Sequence, residues 1–393
     1  MDAVNALPPQ SSNASFAEPT TSLYVQAMTG RTKLLLVPAL PVALGRTPPG
    51  PVRAAGRSRH LGRVGSAALA AGMVASVGLG TSPATAVAAS RALGASGPVP
   101  GTIFVANAGA DGNGSAGTGP GSITLYRPGA GGNARPEATV TKGVDGPGSI
   151  TFDALGDLWV ANQLGSSGTG TIVEYSRAGL AKASPVPSVT ISYMAGSLSF
   201  DPSGDLWAGN GSTAVEFTKS QLARSGAPKP VVTLSPITCS IGFDPSGNLW
   251  QGSSADSLSE WAKAGLTKSG SPAPKVTISW SKLKAPCKPA FDRSGNLWVA
   301  SYFGTNTVEF TKAQLARNGS QAPKVVISSS SLSGPGDVAV SSADALWVPS
   351  SGNNTVVEFT KAQLARSGSP APALTIVGPA TGLNWPRAIA IEP

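Results

Sequence analysis

Apolar and polar positions alternate in short runs along residues 101–393, and the runs recur in sets of four. Five segments carry the first two runs of a set: ITFDALGDLWVAN from Ile150, LSFDPSGDLWAGN from Leu198, IGFDPSGNLWQGS from Ile241, PAFDRSGNLWVAS from Pro289 and VAVSSADALWVPS from Val338. Their tryptophans, Trp159, Trp207, Trp250, Trp298 and Trp347, lie 43 to 49 residues apart. A second shared block follows each, such as AVEFTKSQLARSGAPKPVVTLS from Ala214 and TVEFTKAQLARNGSQAPKVVIS from Thr307. The first run, I-x-F, stops at Asp-x-x-Gly, where the Asp closes a turn and the Gly accepts positive φ. The second run is L-W-V-A, the third alternates apolar residues with Glu, and the fourth, V-T-I-S, is largely β-branched. Four antiparallel strands in a unit of about 45 residues predict a propeller blade. Between the third and fourth strands, T-K-A-Q-L-A-R predicts one or two helical turns, stopped by Ser-Gly and Pro.

The two ends of the repeat region set the number of blades. Residues 101–109 match the second strand, with Phe104 in the place of tryptophan; residues 122–126 match the third, and Ala138–Thr141 the fourth. That unit has no first strand, and Pro386–Pro393 supplies one by matching Pro147–Ala154. The expectation is an all-β, six-bladed propeller over 101–393, its four-stranded antiparallel blades closed into a ring by the C-terminal strand, which completes the first blade. Closure removes the sheet edges an open fan would expose. On the inner strand, Ile150, Leu198 and Ile241 are bulky, as are Phe152, Phe200, Phe243 and Phe291 two residues on. Between these positions sit Thr151, Ser199, Gly242, Ala290, Ala339 and Ala390, small enough for six strands to crowd around an axis. The tryptophans and Phe104 read as core between blades rather than as an aromatic ligand cage.

The composition suits this picture: 12% charged residues, 48 Gly and 34 Pro favour short strands and tight turns over helical layers. The first hundred residues differ. Arg53, Arg57, Arg59 and Arg63 precede an apolar, small-residue run, Val64–Gly80, and then two overlapping small-x-small sites ending at Ala86 and Ala88. Residues 52–88 therefore read as a secretory signal. The competing reading, an uncleaved anchor, fits less well a run so short and so rich in Ala and Gly. Residues 1–51 lack periodicity and read as a mis-annotated or disordered extension, and 89–100 as a linker. The expected product is secreted or extracytoplasmic, monomeric and without a membrane span once the signal is removed. Residues 89–393 hold 22 basic and 18 acidic side chains, too modest an excess for a nucleic-acid footprint.

The phrases GPGSITFD at Gly146–Asp153 and FDPSGNLW at Phe243–Trp250 resemble the NHL repeat, and the resemblance extends to virginiamycin B lyase-like and gluconolactonase/regucalcin-like propellers. It implies the fold for residues 100–393 and says little of function. Virginiamycin B lyase-like enzymes depend on histidines, whereas the single histidine here is His60, inside the signal segment. Gluconolactonase-like propellers hold a divalent cation at the channel mouth, but their E-G-P and P-N-G-L motifs are replaced by Asp145-Gly-Pro and Asn384-Trp-Pro. Asp145, Asp337 and Asn384 are the oxygen-ligand set this resemblance offers for calcium. The alternative is that they cap turns or pair with neighbours such as Arg387 and Lys288.

Cys239 and Cys287, the two cysteines, occupy the same repeat position in adjacent blades, and in an exported protein such a pair suggests a disulfide; two free thiols are the alternative. Glu174, Glu216, Glu260, Glu309 and Glu358 each precede a basic residue by three positions, which suggests solvated ion pairs. Lys182, Arg224, Lys268, Arg317 and Arg366 fall on the face of the Asp-x-x-Gly turns. The opposite face carries the variable loops, with Tyr302, Phe303 and Trp385, next to Asn384, as its aromatic candidates. The leading expectation is a non-catalytic module that binds a protein, peptide or glycan of the cell envelope through that face. The alternative is a divalent-metal hydrolase or lactonase with carboxylates at the channel mouth.

Overall fold

The computed structural model describes residues 97–109, 119–163, 169–237 and 240–393. The expectations for 1–51, 52–88 and most of 89–100 fall outside them. Ala88–Pro393 is one compact unit. It contains six antiparallel sheets, the blades, each of four strands apart from that of blade 4, which gains a short fifth strand in parallel, and in each the strands follow one another outward from the axis. Blade 1 comprises Pro386–Ile391, Ile103–Asn107, Ser122–Tyr126 and Ala138–Val140; blade 2, Pro147–Phe152, Leu158–Asn162, Thr171–Tyr175 and Val189–Ile191; blade 3, Ser197–Phe200, Leu206–Gly209, Ala214–Phe217 and Val232–Leu234. Blade 4 comprises Ile241–Phe243, Leu249–Ser253, Ser257–Trp261 and Val276–Ser279; blade 5, Ala290–Phe291, Leu297–Ala300, Asn306–Phe310 and Val325–Ser328; blade 6, Ala339–Val340, Leu346–Ser350, Thr355–Phe359 and Leu374–Ile376.

The closing strand pairs where the repeat alignment places it. Ile391 to Ala388 face Ile103 to Ala106 in antiparallel register, with a bulge before Pro386 meets Asn107. Among the described residues the ring is thus complete, its first blade closed by the C-terminal strand. The aromatic rule also holds: Trp159 meets Phe200 at 5.9 Å, Trp207 meets Phe243 at 5.9 Å, Trp250 meets Phe291 at 6.3 Å and Phe104 meets Phe152 at 5.0 Å, all edge-on. These four second-strand aromatics pack on the inner strand of the next blade, and Trp298 and Trp347 share apolar clusters with Val340 and Ile391 of theirs. The inner strands crowd as their small residues require. A Cβ at Gly242 would stand 2.5 Å from the Pro289 carbonyl oxygen of the neighbouring blade.

The T-K-x-Q segment does form a short helical turn, and its start is a capping box. Thr218 N–H donates to Gln221 Oε1 and Thr311 N–H to Gln314 Oε1 at the heads of Lys219–Leu222 and Lys312–Leu315. The Ser-Gly after it does more than stop the helix, a role the sequence reading missed. Gly226 of blade 3 bridges in parallel to Ile191 of blade 2, Gly270 to Leu234, Gly368 to Ile327, Gly132 to Ile376, and Gly319–Ser320 to Ile278–Ser279. The preceding Ser or Asn side chain completes the staple in four cases: Ser225, Ser269, Asn318 and Ser367 accept the N–H of Thr190, Thr233, Thr277 and Val326. At these five junctions the outer strand of one blade is covered by the next, which protects the edge.

Candidate functional site

Antiparallel order gives the ring two faces. First and third strands end on the turn face, with the Asp-x-x-Gly turns and helical turns; second and fourth strands end on the loop face. At the top of each inner strand one position governs how neighbouring blades meet. Ser149 Oγ accepts Leu198 N–H of the next blade at 3.1 Å, and Ser197 Oγ accepts Ile241 N–H at 2.9 Å. In blade 4 the residue is Ser240 and the next blade presents Pro289, which has no N–H. In blade 5 the position is Lys288, which cannot accept, and Asp337 of blade 6 makes up the loss. Asp337 Oδ1 takes its own neighbour Val338 N–H at 2.8 Å, and Oδ2 takes Ile389 N–H of the closing strand at 3.2 Å. Lys288 Nζ reaches across the axis to donate to the Ile150 carbonyl of blade 2 at 3.1 Å. Burial pushes the Asp337 carboxyl up to about 6, against the pull of Lys288 and the two N–H donors; burial likewise pushes the Lys288 ammonium down, with Asp337 opposing.

Of the residues expected as calcium ligands, Asp337 has both carboxylate oxygens engaged by main-chain N–H donors and feels the positive charge of Lys288. Asp145 N–H donates to Asn162 Oδ1, and Asn384 is exposed, its main chain tied to Asn107 Oδ1 and Gly109 N–H. A different set, Asp201, Asp205 and Glu216, brings ligand atoms within 4.8 Å of one another on the turn face. It is a variant of the turn that blades 2 to 5 carry: Asp201 Oδ1 accepts Ser203 and Asp205 N–H, and Asp205 Oδ1 accepts Lys219 N–H. In blades 4 and 5 the second acid is Asn248 or Asn296, whose amide donates to Asp244 or Asp292 at 2.9 Å.

The glutamate ion pairs expected at three-residue spacing are not among the ion pairs of the described residues. Each glutamate sits opposite the tryptophan of the second strand, as Glu174 does Trp159 and Glu260 does Trp250, and so turns inward toward the Asp-x-x-Gly turn. The bases pair elsewhere: Arg177 with Glu392 at 3.1 Å, Lys361 with Asp344 at 2.8 Å, and Glu260 takes Lys275 at 3.3 Å. Burial, then Asp157 and Asp153, pushes the Glu174 carboxyl up to about 7; burial pushes Glu392 to about 7 despite Arg177.

These values carry a pH dependence. A carboxyl raised in the folded state stabilises it fully below the unfolded value, and the contribution is lost as pH rises through the folded value. Glu174, Glu392 and Asp337 place that loss between about pH 4 and 7. The melting temperature is expected to fall by on the order of 5 °C from pH 5 to pH 8, and Glu174→Gln to flatten the slope. Calorimetry across that range checks it, and a rise with pH would contradict it.

On the loop face, the blade 5 hairpin holds Tyr302 and Phe303 edge to face at 5.1 Å. The segment is pinned by main-chain bonds: Tyr302 N–H to Ala285 O and Phe303 N–H to Lys284 O, both 3.3 Å, and Gly304 N–H to Ser301 O at 2.9 Å. Phe303 is 67% exposed. Trp385 is half-exposed, its N–H donating to Asn354 Oδ1 at 2.6 Å. Cys239 lies outside the described residues; Cys287 is half-buried at the loop-face end of blade 5, its sulfur 3.6 Å from Pro335 O. Tyr302, Phe303 and Trp385 thus lie on the loop face, and Lys288 and Asp337 stand at the loop-face ends of the inner strands of blades 5 and 6.

No family model and no curated protein matches the chain. Similar solved structures include a protein of unknown function from Bacteroides caccae, with 12% identity, 74% of this chain and 98% of that one covered, and a TM-score of 0.49. A chain of a nidogen/laminin complex matches with 14% identity, coverage of 75% and 99%, and a TM-score of 0.48. Virginiamycin B lyase from Staphylococcus aureus matches with 15% identity, coverage of 55% and 67%, and a TM-score of 0.36. These matches concern the propeller fold alone and do not single out the NHL repeat.

Proposed function

We propose that this propeller is an extracytoplasmic, non-catalytic module that binds a protein, peptide or glycan of the cell envelope through its loop face. The observation that carries the reading is Phe303, a phenyl ring 67% exposed on a hairpin whose backbone is fixed by three hydrogen bonds. A ring displayed in this way loses little further freedom on binding, which is what makes rigid aromatic anchors effective. The reading without catalysis draws support from the absence of histidine after His60 and from the commitment of Asp337 to the fold. Export would also place Cys239 and Cys287 in an oxidising compartment, where a bridge between adjacent blades would form. Pull-down of native envelope extract with Ala88–Pro393 tests the proposal. Phe303→Ala is expected to reduce capture by at least about tenfold, whereas Lys268→Glu on the turn face leaves it unchanged. The opposite pattern would move binding to the turn face.

A further inference from the structure

Four residues stand just before a proline at the loop-face mouth of the ring in a left-handed backbone conformation. Gly146 and Gly334 adopt it with φ of 61° and 58°, Ala285 with 46° and Trp385 with 57°. Glycine takes this conformation freely; a Cβ opposes it, and a bulky side chain there is a genuine outlier. Trp385 is held by its main chain, the N–H donating to Asn354 Oδ1 and the carbonyl accepting Ala108 N–H at 3.1 Å. Ala285 makes the corresponding bond to Asp256 Oδ1 at 2.9 Å with no more than a methyl group. The fold therefore needs a backbone here and not an indole. The Trp385 ring belongs to none of the six apolar clusters among the described residues. A large aromatic kept half-exposed in a conformation that opposes it, where Gly or Ala suffices, points to contact with something outside the chain.

The surroundings indicate what that is. The loop segments 301–306, 328–337, 350–355 and 377–387, from blades 5 and 6 and the entry to blade 1, are rich in Ser, Asn and Thr. Their charged side chains are Asp337, which is 2% exposed, and the half-buried Arg387. Beside Phe303 stand exposed Lys282 and the Lys284–Asp256 ion pair at 2.7 Å, whose charges offset each other, while hydroxyl and amide groups surround Trp385; aromatic rings in such a setting complement a molecule that has apolar C–H faces and many hydroxyls. A polyanion would call for a basic surface. Resting on the loop-face reading and narrowing it, we infer that this face binds a neutral glycan, with Trp385 and Phe303 as its stacking rings.

The test uses Ala88–Pro393, whose ring is complete, and lipid-extracted insoluble envelope polysaccharide, untreated, digested with proteinase K or oxidised with periodate. Binding is expected to survive proteinase K and to fall at least about tenfold after periodate. Trp385→Gly is expected to lower binding by at least about tenfold while leaving the melting temperature unchanged or raised by about 1–3 °C, and Trp385→Phe to retain part of the binding. Loss on proteinase K with survival after periodate would overturn the glycan and leave the loop-face reading standing, provided Phe303→Ala still abolishes capture. Binding indifferent to both Trp385→Gly and Phe303→Ala would overturn both. A lowered melting temperature in Trp385→Gly would assign the indole to the fold and overturn its role.

Discussion

Asp337→Ala is expected to destabilise the propeller by about 3–5 kcal/mol, more than any other single change on the channel wall. Two losses combine. The Val338 and Ile389 N–H groups lose their acceptor in a position closed to water, at about 1–3 kcal/mol each. Lys288 loses the carboxylate that offsets its burial and keeps only the Ile150 carbonyl. Because the terms are distinct, they can be separated. Asp337→Asn keeps one acceptor and removes the charge, so it should fall between Asp337→Ala and the parent. Adding Lys288→Met to Asp337→Ala should restore part of the stability, since an apolar side chain leaves no unpaired cation behind. Urea unfolding of the four proteins gives the ordering. An Asp337→Ala variant within about 1 kcal/mol of the parent would mean that the two N–H groups find water, and that the carboxylate is incidental.

The same position shows what was legible in the sequence and what was not. Strands, blade number and inter-blade aromatics were readable because each rests on a local repeated signal: period-two alternation, Asp-x-x-Gly, and a tryptophan at fixed spacing. Phe104 could be assigned to the tryptophan layer from alignment alone, and it packs on Phe152 as that layer requires. Asp337 is different. Its role follows from the residue one blade earlier being Lys288 and from the N–H that Ile389 presents one blade later, so its meaning lies between repeats. Alignment would have found it had the serines at 149 and 197 been read as a row of acceptors, which Lys288 interrupts. The glutamates failed for a related reason. The base three residues on stands at the head of the helical turn after the strand, as Arg177 does, and cross-strand register, not sequence distance, sends Glu174 toward Trp159 and Asp157. The Ser-Gly staples were visible as residues and invisible as contacts, because their partners belong to the preceding blade. Trp385 was singled out as an aromatic on the variable face; that it occupies a slot suited to glycine required the backbone angle.

Removal of Pro386–Pro393 is expected to abolish cooperative folding. The strand Pro386–Ile391 supplies the inner wall of blade 1, and without it Ile103–Asn107 becomes an open edge at the axis. Ala388, Ile389 and Ala390 are each less than a tenth exposed, and they join two of the six apolar clusters, one toward blade 2 and one toward blade 6. The strand is also fastened at both ends by charge, through Ile389 N–H on Asp337 Oδ2 near the loop face and Glu392 on Arg177 near the turn face. Lost burial, ladder bonds and these two ties together amount to on the order of 10 kcal/mol, comparable with the whole stability of a domain. The truncated chain should therefore show no sharp calorimetric transition. A synthetic peptide of residues 386–393, added in excess, should restore one with a midpoint that rises with peptide concentration, because binding to the folded ring alone shifts the equilibrium. A truncated chain that melts as the full one does would show that the first blade stands on three strands, and that ring closure contributes nothing to the fold.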